Sequence, residues 1–352
     1  MASAIVRPRL HHAPPSAAGG QAISHFLARQ TVYRRRFLAM GTMITVTVVS
    51  NRRSRRQVDE AMAEVQQQLI AFGLEAWAWG PGSLSAFNQR LLAGQRAAVP
   101  PGLRDLFDKA WAIRKASDGC FEPRVAALVR LWGFDDPARL RSEPPPAADI
   151  AAGLGALQAA PDYRDDDDYG PAPGVAWDFG GIGKGYIIDR MLDLLARSGY
   201  PDATIDAGGH VATRGRRDGR PWRVGVRDPL QSGEQEEVLL SVMPGECSVV
   251  THGDEQRAFE HGGRRYAHLL DPATGWPVQG LRMLTVIHAD GALADAAGAA
   301  LFVAGSQRWP ALAHRLGLSR VLALTADGQA QVTPLVAPEL SWKRAMQVSV
   351  VG

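Results

Sequence analysis

Between residues 42 and 49 apolar and polar positions alternate in a β-branched run, Thr-Met-Ile-Thr-Val-Thr-Val-Val, which reads as a strand belonging to the fold. From about residue 57 to 72 the period changes. Val58, Ala61, Met62, Val65, Leu69 and Phe72 recur every three or four positions and predict an amphipathic helix. Leu106, Ala110, Trp111 and Ile113 predict another over about 103–117, closed by Asp118-Gly119. Trp77, Trp79, Gly80, Pro81 and Gly82 mark the loop between the two. In the second half, a short strand at 175–178 is expected to feed a glycine-rich turn, followed by a helix at 186–198 that stops at Gly199. Segments 203–206, 222–226, 237–243, 247–251 and 284–288 read as strands, and 292–304 as a helix of small residues. The stretch from about 135 to 173 is rich in Pro, Ala and Asp with weak periodicity, and is expected to be a surface excursion.

With 352 residues, 46% hydrophobic and 21% charged, the chain can bury a large core as two domains or one elaborate α+β unit. The net charge of +3 is too small to imply nucleic acid. Its basic excess is concentrated at the front, in Arg34, Arg35, Arg36, Arg52, Arg53, Arg55 and Arg56, against an acidic run at Asp165, Asp166, Asp167 and Asp168. No apolar run reaches the roughly 18 residues that a membrane span needs. Residues 1–33, rich in Ala, Pro and His, have no signal-peptide core and are expected to be a disordered extension, with the folded domain at 34–352. Arg34-Arg35-Arg36-Phe37-Leu38 invites a twin-arginine reading, but the strand that follows belongs to the fold, so a cytoplasmic location is expected. Cys120 and Cys247 have no metal spacing.

Three strings carry chemistry. In Asp178-Phe179-Gly180-Gly181-Ile182-Gly183-Lys184-Gly185, four glycines and a lysine at a strand-to-helix junction can present N–H groups and positive charge to an anion. The same glycines would also serve a turn that merely permits close packing. The string is neither a Walker A loop nor GxGxxG. His268, in Arg265-Tyr266-Ala267-His268-Leu269-Leu270-Asp271-Pro272, is a candidate general base or phosphate donor, or a satisfied structural histidine. Asp295 is the one charge in Leu293-Ala294-Asp295-Ala296-Ala297-Gly298-Ala299, so it either holds a hard cation or caps a helix.

In their order these strings, with Met40-Gly41-Thr42, Ser83-Leu84-Ser85-Ala86-Phe87-Asn88, Leu131-Trp132-Gly133-Phe134 and Asp206-Ala207-Gly208-Gly209, resemble the ApbE family of flavin transferases from about residue 36 to the Asp295 helix. The resemblance implies an α+β fold, with antiparallel sheets covered by helices and a central flavin cleft between two interleaved sub-lobes. It implies transfer of FMN from FAD to a threonine or serine hydroxyl of a client flavoprotein, releasing AMP, with Mg2+ or alternatively Mn2+. The flavin and nucleotide would meet Met40, Trp79, Glu122, Asp178, Lys184, His252 and Leu269. Gly181 and Asp295 would hold the metal together with position 299. His268, Lys184 and Asp295 would serve the chemistry. The nucleophile belongs to the partner, which agrees with the absence of a serine or cysteine triad.

The chain departs from the family pattern at Ala299, where a threonine would complete the metal site, at Thr251-His252-Gly253 in place of Thr-Ser-Gly, and at Glu255 in place of a tyrosine. Phe121-Glu122-Pro123-Arg124 replaces Phe-Asp-x-Thr. His252 is expected to give the hydrogen bond that the serine would. A metal-dependent FAD pyrophosphatase and a non-catalytic FAD-binding protein are the alternatives to the transferase.

Overall fold

The alternating segments come together in one ten-stranded sheet in this computed structural model, which describes residues 3–6, 30–51, 53–164, 167–230, 238–253 and 257–352. Its strands are β1 (Ser3–Val6), β2 (Thr31–Ala39), β3 (Thr42–Ser50), β4 (Ala203–Ala207), β5 (His210–Arg214), β6 (Ser248–Gly253), β7 (Leu281–His288), β8 (Val321–Thr325), β9 (Ala330–Val332) and β10 (Met346–Val350). They lie in the order β1-β10-β9-β8-β7-β6-β5-β4-β3-β2. Every neighbouring pair is antiparallel except β9 and β10.

The period of two decides what each face meets. Val250, Leu284, Val286, Val321 and Ala323 point into a core built with the helices α1 (Arg55–Glu75), α2 (Ser83–Leu92), α3 (Arg104–Ala116), α4 (Ala126–Leu131), α5 (Ala147–Ala159), α6 (Gly183–Arg197) and α7 (Gly291–Arg315). Val249, Met283, Ile287, Leu322 and Leu324 point the other way, onto a three-stranded sheet of Val224–Arg227, Val238–Val242 and Ser341–Trp342. A third, smaller core joins Leu128, Trp132, Phe134, Ile150 and Leu157 to Phe259, Tyr266 and Leu270.

Several local expectations change. Residues 175–178 form no strand beyond a single bridge from Ala176 to Val125. The buried Asn88 side chain takes the place of a neighbouring strand: its Oδ1 accepts from the Trp177 N–H (2.7 Å) and its Nδ2 donates to the Trp177 carbonyl (2.8 Å). Segment 135–173 is not simply a surface excursion, since α5 lies inside it and buries Ile150 and Leu157. Asp165 and Asp166 lie outside the described residues, as do Arg52 and Glu237. Of the expected extension 1–33, residues 1–2 and 7–29 lie outside the described ones. Within it, however, Ser3–Val6 pairs with β10 and β2 begins at Thr31, so those residues are ordered by the sheet. The arginine tract sits in β2, paired residue for residue with β3.

Helix α6 begins at Gly183, three residues before its expected start, and puts Gly185 inside the first turn. A Cβ at Gly185 would lie 2.0 Å from the Gly291 carbonyl oxygen, so glycine is what lets α6 and α7 meet backbone to backbone. Gly185→Ala is therefore expected to destabilise the protein by about 1–3 kcal/mol. Gly155→Ala, in α5 with open space around it, is expected to stabilise by about 0.5–1 kcal/mol. Chemical denaturation of the two variants checks the pair, and equal effects would contradict this reading of the α6–α7 contact.

Candidate active site

The α6–α7 contact places Asp295. Asp290, not Asp295, caps α7, accepting from the Leu293 N–H at 2.9 Å, so the helix-cap reading of Asp295 falls away. Asp295 instead sits in the second turn of α7, fully buried. Its Oδ2 accepts the N–H of Gly185 across the helix contact at 3.1 Å, giving the first turn of α6 the acceptor that its own uncapped N-terminus lacks. Among the described residues its Oδ1 has no hydrogen-bond partner. Around it stand His210, whose Nδ1 is 3.9 Å from Oδ2, and His252, whose Nε2 is 3.7 Å from Oδ1. Burial alone would raise the Asp295 pKa. Lys184, the two imidazoles and the Gly185 N–H together outweigh it and hold the carboxyl below its ordinary value, in the charged form.

Burial drives all three histidines of the region toward neutrality. It lowers His210 and His268 to about 4 and also lowers His252. With the imidazoles neutral at pH 7, Lys184 is the full positive charge that acts on Asp295. His252 Nε2 is 2.9 Å from the Asp295 backbone carbonyl, which can only accept, so the proton resides on Nε2. The neutral ring then offers a lone pair at Nδ1, and its one N–H is committed to α7. This corrects the expectation that His252 supplies a serine-like hydrogen bond to a ligand. The ring lies against Gly298, where a Cβ would come within 2.6 Å of it. Histidine at 252 and glycine at 298 are thus sterically coupled.

The glycine turn is tighter than its sequence suggests. The Gly180 N–H goes to Asp178 Oδ1 (2.9 Å), those of Ile182 and Gly183 to the Phe179 carbonyl (3.2 and 2.7 Å), and that of Gly185 to Asp295. Among the described residues, the amides of Gly181 and Lys184 remain without a hydrogen-bond acceptor. Lys184 Nζ folds back onto the Gly180 carbonyl at 3.0 Å. Burial raises the Asp178 pKa, and the Gly180 amide and Lys184 oppose the rise.

The residues expected to meet the ligand or metal line one cleft of about 1280 Å³: Met40, Trp79, Glu122, Asp178, Gly181, Lys184, His252, His268, Leu269, Asp295 and Ala299. Met40 arrives on the β2–β3 turn with φ 51° and lies against Gly73 of α1. Trp79 comes from the α1–α2 loop, and His268 and Leu269 from the loop after Arg264–Ala267. Glu122 reaches the cleft with its carboxylate already engaged. Arg124 donates to both oxygens (2.8 and 2.9 Å) and Arg114 to Oε2 (2.5 Å). Both the Glu122 and Arg124 side chains are buried, so the carboxylate reaches the cleft as part of an ion pair. Glu255 lies outside the described residues. The sequence reading did not assign roles to Trp77, His210 and Arg257, which also line the cleft. His210 directly follows the Gly208-Gly209 turn and Trp77 directly precedes the Trp79 loop, so proximity to a motif was the available signal.

Asp295 Oδ1 is a buried anionic atom with no donor, which suits a cation. The Gly181 backbone lies beside Ala299, a Cβ on Gly181 falling 3.8 Å from that of Ala299. Among the described residues no group of three His, Cys, Asp or Glu could hold a metal. A single buried carboxylate oxygen without a donor is compatible with Mg2+, which keeps several waters and shares phosphate oxygens with its substrate.

Residues 40–322 match the ApbE family. An FAD:protein FMN transferase of Rhodobacter capsulatus is 35% identical over 306 residues, 85% of this chain and 56% of that protein, so the chain spans little more than half of that relative. One from Treponema pallidum is 31% identical over 310 residues, 81% of this chain and 82% of the relative. The crystal structure of the ApbE protein from Thermotoga maritima superposes with a TM-score of 0.78 at 26% identity, covering 88% of this chain and 99% of that one. With the family match running through the hairpin, the glycine turn and Asp295 alike, the chain belongs to the ApbE family.

Proposed function

We propose that the cleft binds FAD between the main sheet with its helices and the smaller aromatic core, and transfers FMN to a hydroxyl of a client flavoprotein. By homology the chain is an FAD:protein FMN transferase. The observation that carries the reading is the charged, buried Asp295 with an unpartnered oxygen, set beside Lys184 and the glycine turn. The two sub-lobes of the sequence reading then correspond to these two cores, which interleave along the chain.

The client's threonine or serine oxygen forms a bond to the FMN phosphorus, the anhydride P–O bond breaks, and AMP leaves with the bonding pair. Lys184 and the free amides of Gly181 and Lys184 face the diphosphate and favour the charge that develops on it. Asp295 and the Gly181 carbonyl would hold Mg2+, which supplies Lewis-acid stabilisation of the phosphate oxygens. His268 is neutral at physiological pH because burial depresses its pKa to about 4, so its unprotonated nitrogen is free to accept a hydrogen bond from the attacking hydroxyl. Met40, Trp79 and Leu269 provide the apolar walls for the isoalloxazine ring.

Asp295→Asn is expected to lower flavin transfer by on the order of 100-fold or more, with loss of its Mg2+ dependence. The assay is covalent flavin fluorescence of a client on a denaturing gel, in the presence of FAD and Mg2+. Free FMN without a labelled client would point to hydrolysis instead, and metal-dependent labelling retained by the variant would remove Asp295 from the site. Ala299→Thr restores a side-chain oxygen one turn after Asp295. It is expected to lower the Mg2+ concentration for half-maximal transfer several-fold, and an unchanged titration would show that position 299 does not face the cation.

A further inference from the structure

The arginine tract takes no part in this chemistry, yet the fold gives it a definite place. Strand β2 is the terminal strand of the ten-stranded sheet. Its hairpin closes at the pair Ala39–Thr42 around the two-residue turn Met40-Gly41, both with positive φ. The N–H and C=O groups of residues 31, 33, 35, 37 and 39 therefore face β3, and those of Val32, Arg34, Arg36 and Leu38 point outward. Among the described residues none of these outward groups has a hydrogen-bond partner. Edges are usually short, bulged or interrupted by proline. This one runs nine residues in unbroken register. Arg35 is turned to the helices, donating to Gln66 Oε1 (3.1 Å) and the Asp59 carbonyl (3.3 Å) of α1. Arg34 and Arg36 are exposed, and Leu38 is 72% exposed. The strand runs into the cleft, where Leu38, Ala39 and Met40 join Ile70, Leu74 and Trp77 in an apolar rim.

We propose that β2 is the docking strand for the client: an extended, acidic segment of the client protein adds to the sheet along the outer edge of β2 and carries its acceptor hydroxyl past Leu38 into the cleft. The proposal rests on the transferase reading. Charge selects the occupant. A second copy presenting the same edge would set Arg34 and Arg36 against their own kind, which is destabilising, while carboxylates at alternate positions of an added strand would pair with them. The acidic group near them is Asp206, paired to Thr45 on β4, and Arg36 and Arg227 both act on it, so the strip stays positive. Main-chain hydrogen bonds would hold a segment of loosely defined sequence, and the rim would meet the residues around the acceptor. A cleft of about 1280 Å³ exceeds the roughly 300–1,000 Å³ of ordinary small-molecule sites and leaves room for that residue beside the dinucleotide.

The test uses the full chain and a fluorescein-labelled decapeptide of alternating Asp and Val ending in threonine, read by anisotropy. Arg36→Gln removes one charge. Arg36→Pro removes the charge and one outward N–H, and leaves the β2–β3 hydrogen bonds in place. The expected result is binding to the wild type, weakened about 3-fold by Arg36→Gln and about 10-fold or more by Arg36→Pro, with unchanged thermal unfolding and FAD binding in both variants. The proposal is overturned if the wild type does not bind the peptide, if Arg36→Pro binds it as well as wild type does, or if a backbone N-methylated peptide binds equally. A dimer that Arg36→Pro dissociates in sedimentation equilibrium would also overturn it, since the edge would then be a contact between copies. FAD binding by the wild type is read separately in the same samples. Its loss counts against the transferase reading, and its retention without peptide binding counts against the docking strand alone.

Discussion

The structure is organised around a buried carboxylate, one oxygen of which has no hydrogen-bond donor among the described residues. Asp295 is buried where two helices touch backbone to backbone, a contact that only glycine at 185 allows. One of its oxygens repairs the uncapped start of α6 and the other has no donor. A buried charge of this kind is costly unless something compensates it. Lys184, the two imidazoles and the Gly185 N–H offset the burial and keep the carboxyl below its ordinary pKa. The same helix contact fixes the glycine turn, so the Gly185 amide and the Asp295 carboxylate are held together by one packing event.

The departures from the family pattern acquire physical meaning in this setting. His252 is a partner of α7, because its N–H is committed to the Asp295 carbonyl and its ring fills the space over Gly298. Glu122 and Arg124 replace an acid and a threonine with a buried ion pair that also engages Arg114. These two changes alter how the walls of the cleft are braced. Ala299 is different, for it removes a possible side-chain oxygen from the cleft wall beside Gly181 without replacing it.

Much of this was legible in the sequence. Periodicity located α1 and α3 and the strands at 203–207, 224–227, 238–242, 248–253 and 281–288, because their apolar positions are regularly spaced, while β2, β5, β8, β9 and β10 went unread. It failed at Val175 to Asp178, where a buried asparagine mimics a strand, and at α5, an Ala- and Gly-rich helix with only two buried large residues. The residues read as candidates for ligand, metal or chemistry line the cleft, whereas the Ser83–Asn88 string braces Trp177 from α2 instead. The roles of Glu122 and His252 were not legible. They depend on partners distant in sequence or on which ring nitrogen carries the proton. His210 was hidden because its significance comes from lying 3.9 Å from Asp295, a residue far from it in sequence.

If the unpartnered Asp295 oxygen and the diphosphate share one cation, FAD and Mg2+ must bind with positive coupling, and that coupling is reciprocal. The direct measurement is the FAD affinity of the wild-type chain by flavin fluorescence, with Mg2+ and with a chelator. The account predicts an affinity at least about 10-fold higher with Mg2+, and an equal tightening of Mg2+ by FAD. Identical FAD affinities under the two conditions would contradict it.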